Sequence, residues 1–226
     1  MEERLKKLQA SINKTALSVG RNPKEITLVA VTKTFPIEIW KDSLNANITT
    51  FGENRVQEAQ EKLIKFKERE KIELHLIGHL QSNKVRKAVE TFDVIQTIDS
   101  IKLADKVNNI CKKIDKKQNI YLQINTGGDP QKHGVSIEES IKVAIKISKM
   151  ENLSFRGIMT IPQKKLNSQE LSLIYRTTRK IRDNIYRDIN NCCQYISMGM
   201  SNDYIIAILE GATHIRIGRG LFGDRV

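Results

Sequence analysis

Residues 26–36 read ITLVAVTKTFP, and this stretch contains the pattern from which the fold of the chain can be predicted. The run ITLVAV combines β-branched and aliphatic residues, as is typical of a strand buried on both faces. Lys33 follows where that strand ends, and Pro36 suits the first position of a helix. A lysine at this point has two interpretations, a solvated surface side chain or a reactive group.

The same unit, a short β-rich run followed by a segment with apolar residues three and four apart, recurs along the chain. It predicts eight strands, at residues 26–31, 49–53, 73–78, 94–98, 120–125, 154–161, 195–200 and 214–218. Strict alternation of strands and helices favours a parallel sheet. Eight units in 226 residues predict an α/β fold, a (β/α)8 TIM barrel forming a single domain over residues 1–226. An open doubly wound sheet is the alternative, although AVTKTFP is not the Gly-rich turn that usually follows its first strand.

Helix signals support the same alternation. An extra N-terminal helix is predicted from the apolar face at residues 5, 8, 12, 16 and 19, with Gly20 at its end. Later helices are expected to begin near residues suited to their first turn, namely Pro36, Ser100, Ser136 of the capping box SIEE, Ser168 and Ser201.

Composition and charge argue against several classes of protein. No apolar run approaches the roughly 20 residues of a membrane span, and the start MEERLKKLQA has no apolar signal core, so a cytoplasmic location without membrane attachment is expected. The net charge of +12 suggests nucleic acid as a partner. However, the basic residues are spread over helix faces and are not interleaved with aromatic residues, so no nucleic-acid partner is predicted.

The three cysteines indicate neither disulfides nor a metal site. Cys192 and Cys193 are adjacent and would bridge only with strain. No CxxC pair is present, and no His/Cys cluster has the spacing of a zinc site. Burial as small apolar residues is therefore expected for all three.

Polar residues and glycines occur where the predicted strands end, which is where a barrel carries its active groups. They are Lys33, Glu53, Asn54, Arg55, Gly78, His79, Asp99, Asn125, Ser201, Gly218 and Arg219. After the seventh strand, SMGMSND is predicted to place Ser201 at a helix N-terminus, which favours an anion. After the eighth strand, RIGRGLFG brings Gly218 into a loop where backbone can approach a ligand. Taken alone, these glycines are better explained as tight turns, but their position in a barrel favours a phosphate site.

A phosphate site opposite Lys33 changes the interpretation of that lysine. A partly desolvated lysine can lose its proton and attack a carbonyl carbon. The expected ligand is then a phosphorylated aldehyde or ketone. Pyridoxal 5'-phosphate (PLP), held as a Schiff base, and a sugar phosphate of a class I aldolase both fit these residues.

Eight stretches of the chain, in order, resemble one known family. They are LVAVTKTFP, FGENRVQEAQEK, HLIGHLQSNKVRKAV, QTIDS, LQINTG, GIMTI, SMGMSND and IRIGRGLFG. The family is that of the PLP homeostasis proteins, PLP-binding barrels related to the N-terminal domain of alanine racemases, and the resemblance covers nearly the whole chain. It implies seven cofactor-binding residues: Lys33, Asn54, Met200, Ser201, Arg216, Gly218 and Arg219.

The resemblance also implies a role for each residue. Lys33 would carry PLP as a Schiff base, and Ser201 would hold the phosphate together with backbone N–H groups of the turn at Met200 and Ser201. Gly218 and Arg219 would add backbone N–H contacts to the same phosphate.

Two further residues have implied roles on either side of the cofactor. Asn54 would line the phosphate side, and Arg216 would face the pyridine nitrogen. Because arginine retains its proton, that nitrogen should stay unprotonated and the cofactor should be a poor electron sink. The alternative for Arg216 is a barrel-interior arginine in a structural ion pair. For Gln81, Asn83 and Lys84 of GHLQSNK, contact with a ligand, contact with a partner and helix capping remain open.

The expected function is intracellular PLP (vitamin B6) homeostasis and amino-acid balance, with little or no catalysis and no catalytic residue assigned. The chain ends soon after the eighth strand, without the second domain and partner-subunit tyrosine of the racemases that it resembles, and racemisation needs two acid/base groups. A monomer is expected, with PLP as ligand and PLP-dependent apoenzymes as possible acceptors. A weak PLP-dependent amino-acid racemase is the alternative.

Overall fold

The computed structural model describes residues 1–189 and 192–223, and its centre is a closed barrel of parallel strands. Neighbours in sequence are neighbours in the sheet, and the last strand pairs with the first. The strands are β1 (Thr27–Val31), β2 (Thr50–Glu53), β3 (Glu73–Leu76), β4 (Val94–Ile98), β5 (Gln118–Gln123), β6 (Leu153–Met159), β7 (Tyr195–Met200) and β8 (His214–Ile217). Every predicted strand is confirmed to within two residues at each end, and so is the barrel.

In the described residues each strand is followed by one helix, and one further helix precedes β1. The helices are α1 (Glu2–Ser18), α2 (Glu38–Asn45), α3 (Val56–Lys65), α4 (Val85–Thr91), α5 (Ile101–Lys113), α6 (Ile137–Ser148), α7 (Ser168–Asp188), α8 (Tyr204–Leu209) and α9 (Arg219–Phe222). Short 3-10 turns lie at Pro23–Glu25, Arg69–Lys71 and Ser82–Lys84. None of these helices is both long and apolar enough to cross a bilayer.

Side chains that cap the helices explain where several of them begin. Ser100 Oγ accepts a hydrogen bond from the Leu103 N–H at 3.2 Å, which confirms the predicted cap of α5. α7 begins at Ser168, but its cap is the preceding residue, Asn167, whose side-chain oxygen accepts from two backbone N–H groups. Pro36 was expected at a first helical position, and α2 begins two residues later, at Glu38. Frayed helix ends account for such offsets.

The core lies inside the barrel and between the barrel and its helices. Trp40 of α2 is fully buried and packs on Phe51 of β2 and Phe66 at the end of α3, with ring centroids 5.5 and 5.4 Å away. Burial of one such side chain contributes about 1.5–3 kcal/mol. The apolar face predicted for α1 is buried at four of its five positions, whereas Val19 is exposed because the helix ends before it. Cys111 and Cys193 are buried as expected, and Cys192 is half-buried.

Candidate functional site

Lys33 lies just beyond the carboxyl end of β1, where the chain leaves the barrel. Thr32 before it is fully buried, and Lys33 itself is half-buried. Thr34 after it has φ +66°, a left-handed conformation that β-branched residues rarely adopt. Such strain persists only where surrounding contacts enforce it, and it is concentrated at functional sites. The backbone on both sides of Lys33 is therefore held in a defined geometry.

A buried polar network below Lys33 provides part of that constraint. The Thr32 hydroxyl donates to Glu53 Oε1 at 2.7 Å and accepts from Trp40 Nε1 at 2.8 Å. Lys62 Nζ donates to the same Glu53 oxygen at 2.6 Å and to the Thr32 carbonyl at 2.8 Å. Burial raises the pKa of Glu53, and the charge of Lys62 opposes that rise. One carboxylate and one ammonium thus join β1, β2, α2 and α3 directly beneath the lysine.

Glu58 of α3 extends the network to the other side of Lys33. Its Oε1 accepts hydrogen bonds from the Thr34 N–H and from Lys62 Nζ, the latter at 2.9 Å. The strained conformation of Thr34 is held by this carboxylate.

Sequence reasoning placed Glu53 at a strand end without giving it a role, and it missed Lys62 and Glu58. A signal for Lys62 was present. It follows Val56 and Ala59 at three-residue spacing, on the buried face of α3.

The loops after β7 and β8 meet at Ser201 and Gly220. The Gly220 N–H donates to Ser201 Oγ at 3.1 Å, and a Cβ at Gly220 would lie 3.4 Å from that oxygen and 3.1 Å from Ile217 Cγ2. Gly218 caps α9, and a Cβ added to it would lie 3.3 Å from the Val31 carbonyl oxygen of β1. Two glycines therefore keep backbone N–H groups and one hydroxyl close together without intervening side chains.

The position of Ser201 corrects one prediction. Ser201 was expected at a helix N-terminus, but it lies in the turn after β7, and α8 begins only at Tyr204. The Met200 N–H, predicted as a phosphate donor, donates to Asp203 Oδ1. Ser201 therefore does not lie at the start of α8. An anion at this site would contact the turn that contains Ser201 and the start of α9.

Closure of the barrel brings the end of β1 beside the end of β8. Ala30 pairs with Ile217, so that Val31 lies beside Gly218 and Lys33 follows two residues further on. The rings of Phe35 and Phe222 pack with centroids 5.3 Å apart and join the loop of Lys33 to α9. Residues at opposite ends of the chain thus share one part of the mouth of the barrel.

Arg216 lies deeper, inside the barrel. Its Nη1 donates to Ser197 Oγ at 2.8 Å and its Nη2 donates to the Thr160 carbonyl at 2.9 Å. Burial lowers the pKa of Arg216. Within residues 1–189 and 192–223, its guanidinium forms no ion pair with a carboxylate. The contacts therefore do not match the structural ion pair considered as the alternative.

Asn54 and Arg219 complete the set of predicted residues. Asn54 follows β2 and is half-buried. Its backbone packs tightly on Gly78, since a Cβ added to Gly78 would lie 2.2 Å from the Asn54 carbonyl oxygen. Arg219 is exposed, as suits a residue expected to act through its backbone. In GHLQSNK, Gln81 precedes the turn Ser82–Lys84 and makes no side-chain capping bond.

A chain of hydrogen bonds that the sequence did not indicate runs from Arg216 towards the other end of the barrel. Ser197 Oγ donates to Gln96 Oε1 at 2.6 Å, and Gln96 Nε2 lies 2.6 Å from His75 Nδ1. His75 Nε2 in turn lies 3.0 Å from Glu73 Oε2.

The row of hydrogen bonds from Arg216 to Glu73 ends at a cavity of about 230 Å³, whose lining includes Glu73, His75 and His214. A second cavity, of about 340 Å³, also lies at the amino-terminal end of the strands, near Phe155 and Gln194. Both cavities therefore lie at the end of the barrel opposite the mouth that carries Lys33.

Comparisons with known proteins find similarity along nearly the whole chain. The family model for the alanine racemase N-terminal domain matches residues 5–226. A pyridoxal phosphate homeostasis protein of Aquifex aeolicus is 34% identical over 223 residues, which cover 99% of this chain and 97% of that protein.

Solved structures show the same similarity. PipY of Synechococcus elongatus without PLP superimposes with a TM-score of 0.90 at 32% identity and covers 99% of this chain and 100% of that chain. PipY with PLP bound superimposes with a TM-score of 0.83 at 32% identity and covers 94% of this chain and 100% of that chain.

Proposed function

This chain belongs to the family of the pyridoxal phosphate homeostasis proteins, within the alanine racemase N-terminal domain family, and we propose that it binds PLP. In this proposal the amine of Lys33 holds the cofactor as a Schiff base. The observation that carries it is that a half-buried lysine and a glycine-containing loop meet where β1 and β8 pair. The PLP-bound state of PipY supports the identity of the ligand.

The residues at the mouth fit a phosphorylated aldehyde. PLP supplies an aldehyde that condenses with an amine and a pyridine ring that can withdraw electrons. Ser201 Oγ and the backbone N–H groups of Gly218 and Arg219 would bind the phosphate, because a Cβ at Gly218 or Gly220 would crowd the space. Asn54 would line the same side, and Arg216 would lie towards the ring nitrogen.

Arg216 supports a role with little catalysis. A guanidinium does not release its proton, so it cannot protonate a pyridine nitrogen that faces it, and the ring stays a weak electron sink. Carbanion chemistry at an amino acid is then disfavoured.

The tyrosines support the same conclusion. Burial raises the pKa of Tyr121 and Tyr175, which keeps both phenols protonated. Tyr204 donates to Ser11 Oγ of α1, Tyr195 lies beside Tyr121, and Tyr186 is exposed on α7. Neither of the two buried phenols, Tyr121 and Tyr175, is therefore suited to act as the base that a racemase would need from a tyrosine.

The proposed role is therefore to hold PLP reversibly, limit the free aldehyde and influence amino-acid balance inside the cell. PLP-dependent apoenzymes are the proposed acceptors of the released cofactor. We propose that the protein acts as a monomer, which sedimentation of the PLP-loaded protein would test.

The decisive experiment compares the visible absorption spectra of wild type, Lys33→Ala and Lys41→Ala after addition of PLP. Lys41 is an exposed lysine on α2 and serves as the matched control. We expect the absorption band of a lysine Schiff base in wild type and Lys41→Ala and none in Lys33→Ala. Borohydride reduction followed by peptide mapping should place the label on Lys33.

Two outcomes would contradict the proposal. A wild-type protein that shows no band with PLP would rule out the cofactor, and sugar phosphates would be tested next with the same borohydride reduction. A band that persists in Lys33→Ala would rule out the anchor. Measurable exchange of the α-proton of an amino acid by the PLP-loaded protein would instead favour the racemase alternative.

A further inference from the structure

Three side chains with metal-binding donor atoms converge on another part of the carboxyl-terminal mouth. His79 follows β3, Asp99 follows β4, and His133 lies in the loop between β5 and α6. The Nδ1 atoms of His79 and His133 lie 3.3 and 3.5 Å from one and the same oxygen, Asp99 Oδ2. The two imidazole rings are nearly parallel, at 9°, with centroids 3.6 Å apart.

These separations match the spacing of ligands around one ion. In a tetrahedral site with ligand bonds of about 2.0–2.2 Å, neighbouring ligand atoms are about 3.3–3.6 Å apart. Both nitrogen–oxygen distances fall in that range, and all three ligand atoms lie within 4.8 Å of one another. For both Nδ1 lone pairs to point at one ion, the two parallel rings would have to turn towards each other.

The donor set selects the class of ion. Two imidazole nitrogens and one carboxylate oxygen suit divalent transition metals such as zinc, cobalt or nickel, whereas magnesium and calcium prefer oxygen ligands alone. Three protein ligands leave at least one coordination position for water or a small anion. The side chains of His79 and His133 are 41% and 55% exposed, so an ion can reach the site from solvent.

Neighbouring groups hold each ligand in place. Asp99 Oδ1 accepts from Ser100 Oγ at 3.3 Å, which leaves Oδ2 facing the histidines. The Gly78 carbonyl, next to His79, accepts from the Thr97 hydroxyl at 2.8 Å. The His133 carbonyl accepts from Gln123 Nε2 at 2.9 Å. The bond to Asp99 orients a ligand side chain directly, and the other two fix the backbone from which the histidines project.

We propose that His79, Asp99 and His133 form a binding site for a divalent transition-metal ion of the zinc class. The proposal goes beyond PLP binding and uses none of the residues assigned to PLP. It also changes an expectation from the sequence, in which no spacing typical of a zinc site was found. The ligands come from the loops after three different strands, so closure of the barrel is what makes them neighbours.

Isothermal titration of the untagged protein with zinc chloride, supported by the visible absorption of bound cobalt, tests the proposal. We expect one ion per chain in wild type and at least a tenfold loss of affinity in His133→Ala and in Asp99→Asn. Gln131→Ala, in the same exposed loop, and Cys192→Ser, at the half-buried thiol, are matched controls and should bind like wild type. Circular dichroism would show that every variant is folded.

Several results would overturn the proposal. They are the absence of zinc binding by wild type, equal affinity in wild type and in folded His133→Ala, and loss of binding in Cys192→Ser. Lys33→Ala should bind zinc as wild type does. Failure of the metal site therefore leaves PLP binding untouched, and failure of the Schiff base leaves the metal site untouched.

Discussion

Replacing Lys62 by methionine should destabilise the protein strongly, because it leaves a buried carboxylate without its partner. Lys62 and Glu53 are almost completely excluded from solvent, and their charged atoms lie 2.6 Å apart. Methionine keeps the length and apolar stem of lysine, so the packing of α3 against the barrel should change little. The substitution therefore isolates the effect of the charge.

The magnitude follows from burial. Lys62 Nζ makes three hydrogen bonds, to Glu53, Glu58 and the Thr32 carbonyl, and all three are lost. Removing one member of a buried ion pair costs about 3–5 kcal/mol. An exposed lysine on the same helix sets the comparison, since Lys65→Met should change the free energy of unfolding by less than about 0.5 kcal/mol. For a chain of this size, the expected loss lowers the melting temperature by about 6–20 °C.

The effect should also depend on pH. Burial already raises the pKa of Glu53, and removal of Lys62 removes the charge that opposes the rise. In the variant, the folded-state pKa of Glu53 lies well above its unfolded value of about 4.3. A group of this kind favours folding below its unfolded pKa, and that contribution is lost as pH rises through the folded pKa. The difference from wild type should therefore be larger at pH 7.5 than at pH 4.5.

Urea unfolding of wild type, Lys62→Met, Lys65→Met and the double variant Lys62→Met/Glu53→Gln, at both pH values, measures all of these effects. The double variant should recover part of the loss and should lose the pH dependence. A loss below about 1 kcal/mol in Lys62→Met would refute the reasoning, because that is the value expected for an exposed ion pair. A loss independent of pH would show that Glu53 is not the group left unpaired.

Two further predictions concern the phosphate site and acid stability. Ser201→Ala should weaken PLP binding about 10- to 100-fold, since a hydrogen bond to a charged group is worth about 1.5–3 kcal/mol; absorbance titration should show no such change with pyridoxal, which lacks the phosphate. Burial lowers the pKa of His214 to about 3, so this residue stabilises the fold above its unfolded pKa, and the contribution is lost as pH falls from about 6.5 towards 3. In wild type, the free energy of unfolding in urea should fall by up to about 1.4 kcal/mol per pH unit between pH 7, 5 and 4, and His214→Leu should remove this dependence. If the free energy of unfolding of His214→Leu depends on pH as that of wild type does, another group causes the dependence.

The barrel could be predicted because its signals are local. Each strand is a short run of β-branched and aliphatic residues, and each helix has its own apolar face, so periodicity alone separated the two. The first residue of a helix was harder to predict where two neighbouring polar residues could both cap it, as Asn167 and Ser168 could at α7. Ser201 was misplaced for a related reason, because nothing in SMGMSND distinguishes a turn from the first residues of a helix.

The sequence by itself determined the succession of strands and helices, and it indicated Lys33 and the glycines near the end of the chain as candidates. The order of strands and helices and these candidate residues follow from residues that are neighbours in the sequence, so they can be predicted without the structure. Only the tertiary structure decided which distant residues meet. Pairing of β1 with β8 brings Lys33 near Gly218, and burial joins Glu53 to Lys62. The loops after β3, β4 and β5 bring His79, Asp99 and His133 together. Distances and burial depend on closure of the barrel, and no local pattern along the chain records them.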